Sequence, residues 1–226
     1  TLRLASTVAT WVGGQLEGKD CLWSDVSSID RAGSADLAYW EGSKDPNTNA
    51  GVLICRQAFA GHCCVIVDDP KRAMIAVLNR VFPSDNEPGI HGTAVVHPSA
   101  NVSDLATIGP YVVIGADCHV GAGSVLHPHV VLYSGTRIGE QVLVHAGTVL
   151  GADGFSYHPA SDGLIKVPQV GHVEIADGVE IGANSCVDRD FLAETRSGTR
   201  AKNDNLVQVG HHSQVGAQAV LGAQTG

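Results

Sequence analysis

The stretch "VVIGADCHVGAGSVLHPHVVLYSGTRIGEQVLVHAGTVLG", residues 112–151, decides the fold. Within it Ile114, Val120, Leu126, Leu132, Ile138, Val144 and Leu150 are all aliphatic, and each stands six residues after the last. The same frame runs upstream through Ile108, Val102 and Val96. A helix does not produce this pattern, because its apolar stripe recurs at three and four residues. Gly109, Gly115, Gly121, Gly139 and Gly151 each follow an aliphatic position directly, where small residues let a chain turn. A fixed short period of this kind is the mark of a parallel β-helix. Each hexad makes a short strand and a corner, with the aliphatic side chain pointing inward. Three hexads, 18 residues, close one triangular coil, whose backbone groups pair with the coils above and below.

The frame resumes at Ile175, Ile181 and Val187, and again at Val209, Val215 and Leu221. Between Gly151 and Gly171 it slips. There "GADGFSYHPASDGLIKVPQVG" reads as a loop ejected from the prism, and loops on rigid scaffolds are where sites tend to be built. Between Asp188 and Asn205 it weakens, with Ser197 and Asn203 at positions that expect aliphatics. This coil is expected to be distorted, less stable, or both.

The first part of the chain has a different grammar. "LRLASTVATWVGG" has helical spacing and a Gly-Gly stop. "GVLICRQAFAG" and "CCVIVDDP" hold short apolar runs that read as central strands. "DDPKRAMIAVLNRVF" opens with a strong helix start and lines up Met74, Val77, Leu78 and Val81. The expected organisation is a small α/β domain over 1–83, a Pro- and Gly-rich linker over 84–93, and the β-helix over 94–226. The fold class is therefore mainly β, a left-handed parallel β-helix of hexapeptide repeats preceded by an α/β domain.

Composition narrows the function. The net charge of −9 argues against a nucleic-acid binder, which needs a basic surface. No run approaches the ~20 apolar residues of a membrane span. The six cysteines form no CxxC pair and read as free thiols in a reducing, cytoplasmic setting. No leader pattern is visible at the start. Because the chain opens on Thr and stops in mid-pattern, it is expected to be a piece of a longer protein. The flat faces of a triangular prism are expected to pack as a homotrimer, with sites in the clefts.

Most of the 11 histidines, including His97, His119, His127, His129 and His145, read as polar residues on prism faces. His211 differs, because Asp204, Asn205 and Gln208 precede it on its coil. An imidazole oriented by a carboxylate or amide suits a general base near neutral pH. Adjacent strand residues face opposite ways, so either His211 or His212 is expected to be a bystander. Imidazoles from His145, His172, His211 and His212 could also supply zinc ligands at a subunit boundary, an alternative the residues leave open.

Taken in order, "GADGFSY" (151–157), "IKVPQ" (165–169), "VEIGANSCVDR" (179–189) and "DNLVQVGH" (204–211) resemble the UDP-3-O-acylglucosamine N-acyltransferases of lipid A biosynthesis. The resemblance extends to the N-terminal α/β region, similar to that family's uridine-binding domain. It implies that His211 is the base that takes a proton from the glucosamine 2-amine. The acyl donor would be a 3-hydroxyacyl chain on the phosphopantetheine arm of acyl carrier protein, with no covalent enzyme intermediate, no further cofactor and no metal. Asp204 would partner His211, with Asn205 and Gln208 lining the site. Tyr39 would stack on uracil, and Phe155, Tyr157 and Lys166 would cover the sugar nucleotide.

The chain also departs from the family. Gly42 and Asp45 stand where further uracil contacts are expected, leaving room for a different nucleotide amino sugar as acceptor. Arg196, Arg200 and Lys202 form either a small positive patch for an acidic carrier or a solvated face. The family's later coils, with a second active-site histidine, lie beyond Gly226, so a non-catalytic, trimeric sugar-nucleotide-binding fragment is the remaining alternative.

Overall fold

The structure, a computed structural model, describes residues 1–226. It divides into two compact units, Thr1–Asp85 and Asn86–Gly226.

The N-terminal unit is built on a five-stranded sheet ordered Gln15–Glu17, Cys64–Ile66, Val52–Cys55, Asp36–Tyr39, Asp25–Val26. Its first pair is antiparallel and the others are parallel. All four residues of Val52–Cys55 are buried, as a central strand covered on both faces requires. The helix Ala5–Val12 ends at Gly13, whose φ of 65° lets its N–H reach back to the Ala9 carbonyl. The helix Pro70–Val81 starts where Asp69 accepts a hydrogen bond from the Arg72 N–H. Ala73, Met74 and Val77 from it pack with Val8, Trp23, Leu37 and Ile54.

The C-terminal unit is a parallel β-helix. Its short strands stack into three parallel sheets of six, seven and six strands. In register, Val96 pairs with Ile114, Ile114 with Leu132 and Leu132 with Leu150. Ile108, Leu126 and Val144 make a second such stack, and Val102, Val120 and Ile138 a third. The inward residues from Ile108 to Leu150 are no more than 1% exposed. Buried hydroxyls tie neighbouring coils at their corners, with Ser124 donating to the Gly139 carbonyl and Thr148 to that of Gly182. The corners themselves need left-handed backbone, and Tyr111, Asp117, His129, Gln141, Asn184, Leu206 and His212 all have φ between 54° and 64°.

Three details differ from the sequence reading. The stretch read as linker carries a rung of its own, since Gly89–Ile90 pairs in parallel with Thr107–Ile108. The ejected segment is an ordered antiparallel hairpin, Tyr157–Ala160 with Gly163–Lys166. The coil of Ser197 and Asn203 keeps its register, although ten residues instead of six separate Val187 from Ser197. Ser197 pairs between Ile175 and Val215, and Asn203 between Ile181 and Leu221, in unbroken parallel register. Backbone pairing holds the coil in place despite the polar side chains it buries. No helix is long and apolar enough to cross a membrane.

Candidate functional site

The hairpin leaves the prism through a bulge. Strand Val149–Asp153 follows Cys186–Arg189 in register, but the pairing shifts between Leu150 and Ala152. Gly151 takes a φ of 91° there, and the Arg189 guanidinium clamps the bulge by donating to the Gly151 carbonyl at 2.6 Å and the Ser134 carbonyl at 2.9 Å. The chain beyond it folds over the coil that carries His211. Gly154 lies against that imidazole so closely that a Cβ would come within 2.7 Å of the ring.

Asp153, Gly154, Phe155, Tyr157, Lys166, Asp188, Gln208, Gly210 and His211 line an open cavity of about 550 Å³. Coil stacking explains the convergence: Cys186 pairs with Gln208 and Val187 with Val209, so the residues that follow, Asp188 and Gly210, meet across the rung. Gln208 donates to the Asp188 carboxylate at 3.0 Å. Burial pushes the Asp188 carboxyl above its ordinary pKa, and the Gln208 hydrogen bond and nearby His211 oppose that rise. Lys166 pairs with Asp153 at 2.5 Å, which raises the lysine pKa. Phe155 and Tyr157 meet edge-to-face at 5.1 Å, with Phe155 86% exposed at the mouth.

Five of the expected residues therefore share one cavity: His211, Gln208, Phe155, Tyr157 and Lys166. Asp204 and Asn205 do not. They line a separate cavity of about 440 Å³ with His145, Glu180 and Lys202. There the Asp204 carboxylate accepts the Asn205 N–H and the Asn205 side chain accepts the Ala183 N–H, so both brace a corner. The expected pairing of Asp204 with His211 is replaced by contacts from the coil below. In a β-helix many of a residue's spatial neighbours sit one coil away, whereas Asp204 belongs to the same coil as His211. Lys202 and Arg196 are paired with Glu180 and Glu174, which favours the solvated face over the positive patch.

His212 contacts His211 instead of facing away from it. The strand ends at Val209, and His212 occupies a left-handed corner with φ of 63°, so strand alternation does not apply. Its Nδ1 lies 2.9 Å from His211 Nδ1 and 2.8 Å from the carboxylate of Asp190, which is buried. These three residues could hold a metal, because their donor atoms all lie within 4.8 Å of one another. Asp188 and Asp190 escaped the sequence reading, because Val187 and Val209 pair across a coil four residues longer than the regular 18, so no six-residue frame links Asp188 to the coil of His211.

In the N-terminal unit Tyr39 ends its strand opposite Ile54, partly buried against the main hydrophobic cluster. Gly42 packs on the Trp40 indole, where a Cβ would come within 2.5 Å of the ring, so no larger side chain fits without moving it. Asp45 caps the Asn47 N–H and lies 3.8 Å from His62. A cavity of about 650 Å³ between the end of the first helix and the start of the second is lined by Trp11, Asp68, Asp69 and Arg72, and Tyr39 is not part of it.

Comparison with known proteins agrees with this architecture. The GMPPB C-terminal domain family matches residues 90–154, within the regular hexads. The UDP-N-acetylglucosamine acyltransferase of Francisella novicida superposes with a TM-score of 0.52 at 26% identity, covering 57% of this chain and 46% of that one. A Bacteroides fragilis UDP-N-acetylglucosamine acyltransferase gives 0.54 at 23% identity, over 60% of this chain and 51% of that one, and shares the fold. This chain thus spans about half the length of those solved structures. Among curated proteins, the UDP-3-O-acylglucosamine N-acyltransferase of Coxiella burnetii is 34% identical over 97% of this chain and 72% of its own length. That of Gloeobacter violaceus is 39% identical over 79% of this chain and 58% of its own length. Identity of that extent, running through both units, shows that the chain belongs to the UDP-3-O-acylglucosamine N-acyltransferase family.

Proposed function

We propose that the chain transfers a 3-hydroxyacyl group from acyl carrier protein to the 2-amine of UDP-3-O-acylglucosamine, with His211 as general base. The observation that carries this reading is the convergence of His211, Gln208, Phe155, Tyr157 and Lys166 on one open cavity, in a chain similar to enzymes of that name. The amine needs a proton acceptor as it attacks the thioester carbonyl, and an imidazole in a half-enclosed site supplies one. The nitrogen–carbon bond forms, the thioester carbon–sulfur bond breaks, and the phosphopantetheine thiol leaves carrying a proton. Asp188, held by Gln208, stands where its negative charge favours the imidazolium that forms. The aromatic pair at the mouth offers an apolar surface to the acceptor, and Lys166 a cation to its phosphates.

In this reading the protein works in the cytoplasm as a homotrimer, with Tyr39 stacking on uracil and the donor's phosphopantetheine arm the only cofactor used. The test is acceptor discrimination. The purified chain, supplied with 3-hydroxyacyl carrier protein, is expected to acylate UDP-3-O-acylglucosamine and to leave UDP-glucosamine lacking the 3-O-acyl chain unmodified. Equal transfer to both, or transfer only to another nucleotide amino sugar, would overturn the substrate assignment.

A further inference from the structure

Asp190, His211 and His212 bring three donor atoms to one point beside the cavity. His212 Nδ1 is 2.8 Å from Asp190 Oδ1 and 2.9 Å from His211 Nδ1. A neutral imidazole has one N–H and one lone pair, and an ionised carboxylate only accepts. If His212 Nδ1 carries hydrogen, that single hydrogen faces both Asp190 and the lone pair of His211 Nδ1. If His211 Nδ1 carries it instead, His212 turns a lone pair toward a carboxylate. Neither arrangement gives every contact its own hydrogen, whereas one cation in their midst satisfies all three atoms.

The donor set and its setting both suit a metal. Two imidazoles and a carboxylate are ligands for zinc and related divalent transition ions. Asp190 is only 3% exposed, and the Phe191 N–H fixes its Oδ1 in place. His212 stands on a left-handed corner that the stacked coils hold, while its side chain is 62% exposed and free to swing. Tetrahedral zinc needs donors about 3.4 Å apart, and rotation of that exposed ring lengthens its two contacts toward that spacing.

We propose that Asp190, His211 and His212 form a site within one chain for a divalent ion of the zinc class, and that filling it switches the catalytic base off. An ion on His211 Nδ1 leaves the ring's hydrogen on Nε2, so the other nitrogen donates and has no lone pair for the amine proton. The switch rests on His211 being the base; the site does not.

The experiment titrates Zn²⁺ calorimetrically into the metal-free protein and into His212→Asn and Asp190→Asn. Asn suits both positions, since it tolerates the left-handed corner and matches Asp in size. One ion per chain is expected, with affinity at least tenfold lower in each variant and the imidazole nitrogen resonances of His211 and His212 shifting together in the parent. In parallel, acyl transfer is expected to fall with stoichiometric Zn²⁺ and to return with chelator. Absence of saturable binding, or equal binding by parent and both variants, would overturn the site. Saturable binding with an unchanged transfer rate would overturn the switch. A metal-free chain that transfers nothing would count against His211 as base, with calorimetry and resonance shifts still deciding the site.

Discussion

At the scale of single residues, the site is defined by what stacks on His211. Gly154 leaves no room for a Cβ against the imidazole, so Gly154→Ala must displace the ring or the hairpin. A displacement on the order of 1 Å at a catalytic group costs roughly a hundredfold in rate. Gly154→Ala is therefore expected to lower acyl transfer by about that factor while leaving the circular dichroism spectrum intact; a rate within twofold of the parent would show that the ring is not held there. Asp188 allows a test of sign. Its folded pKa is raised, so the folded protein binds this proton more readily than the unfolded chain does, and its charged form opposes folding at neutral pH. That cost fades as pH falls through the raised pKa. Asp188→Asn, which keeps an acceptor for Gln208, is expected to raise the melting temperature at pH 7 and to lose that advantage near pH 4; an advantage that grows on acidification would contradict the assigned cause. Sequence alone reached His211, Gln208 and the hairpin side chains, because they fall in distinctive local motifs. It gave no role to Asp188 or Asp190 and misplaced Asp204, because partners across a rung are distant in sequence and a motif does not say which residue of another coil it meets.

At the scale of the element, the coil is the unit of stability. Each inward aliphatic fills one level of the prism, and Leu132 is buried between Ile114 and Leu150 in its stack. Leu132→Ala is expected to cost about 2–5 kcal/mol, read as a lower urea midpoint. The Ser197–Asn203 coil gives the opposite result. Both residues are buried, and the Ser197 hydroxyl and both polar atoms of the Asn203 side chain have no hydrogen-bond partner. Asn203→Leu, of the same branched shape and flanked by Ile181 and Leu221, is expected to gain about 1–3 kcal/mol. A loss of stability would mean that the polar interior is satisfied in a way the packing does not show. The sequence marked these two positions correctly as breaks in the aliphatic frame. It could not say that the coil stays in register, because register is set by backbone pairing with both neighbours, which no side-chain pattern records.

At the scale of the whole molecule, the β-helix was legible because its period is written into every coil. The N-terminal unit was legible only in its parts. Its helices and central strands announce themselves through caps and apolar runs, but the strand order, with Gln15–Glu17 antiparallel at one edge, depends on long-range pairing that leaves no periodic trace. The hairpin over 157–166 was visible as a break in the frame, and its strands were not, because Pro159 and the exposed Leu164 and Ile165 fit neither an amphipathic strand nor a core one. What joins the scales is one claim: coil stacking beneath a hairpin turns an ordinary surface imidazole, His211, into the proton acceptor of an acyl transfer. The measurement that addresses it most directly is kcat/KM for acyl transfer to UDP-3-O-acylglucosamine by the parent and by His211→Ala, each shown to be equally folded. A fall of about a hundredfold or more is the predicted result, the range a general base contributes. A His211→Ala protein that keeps the parent's rate would contradict the account.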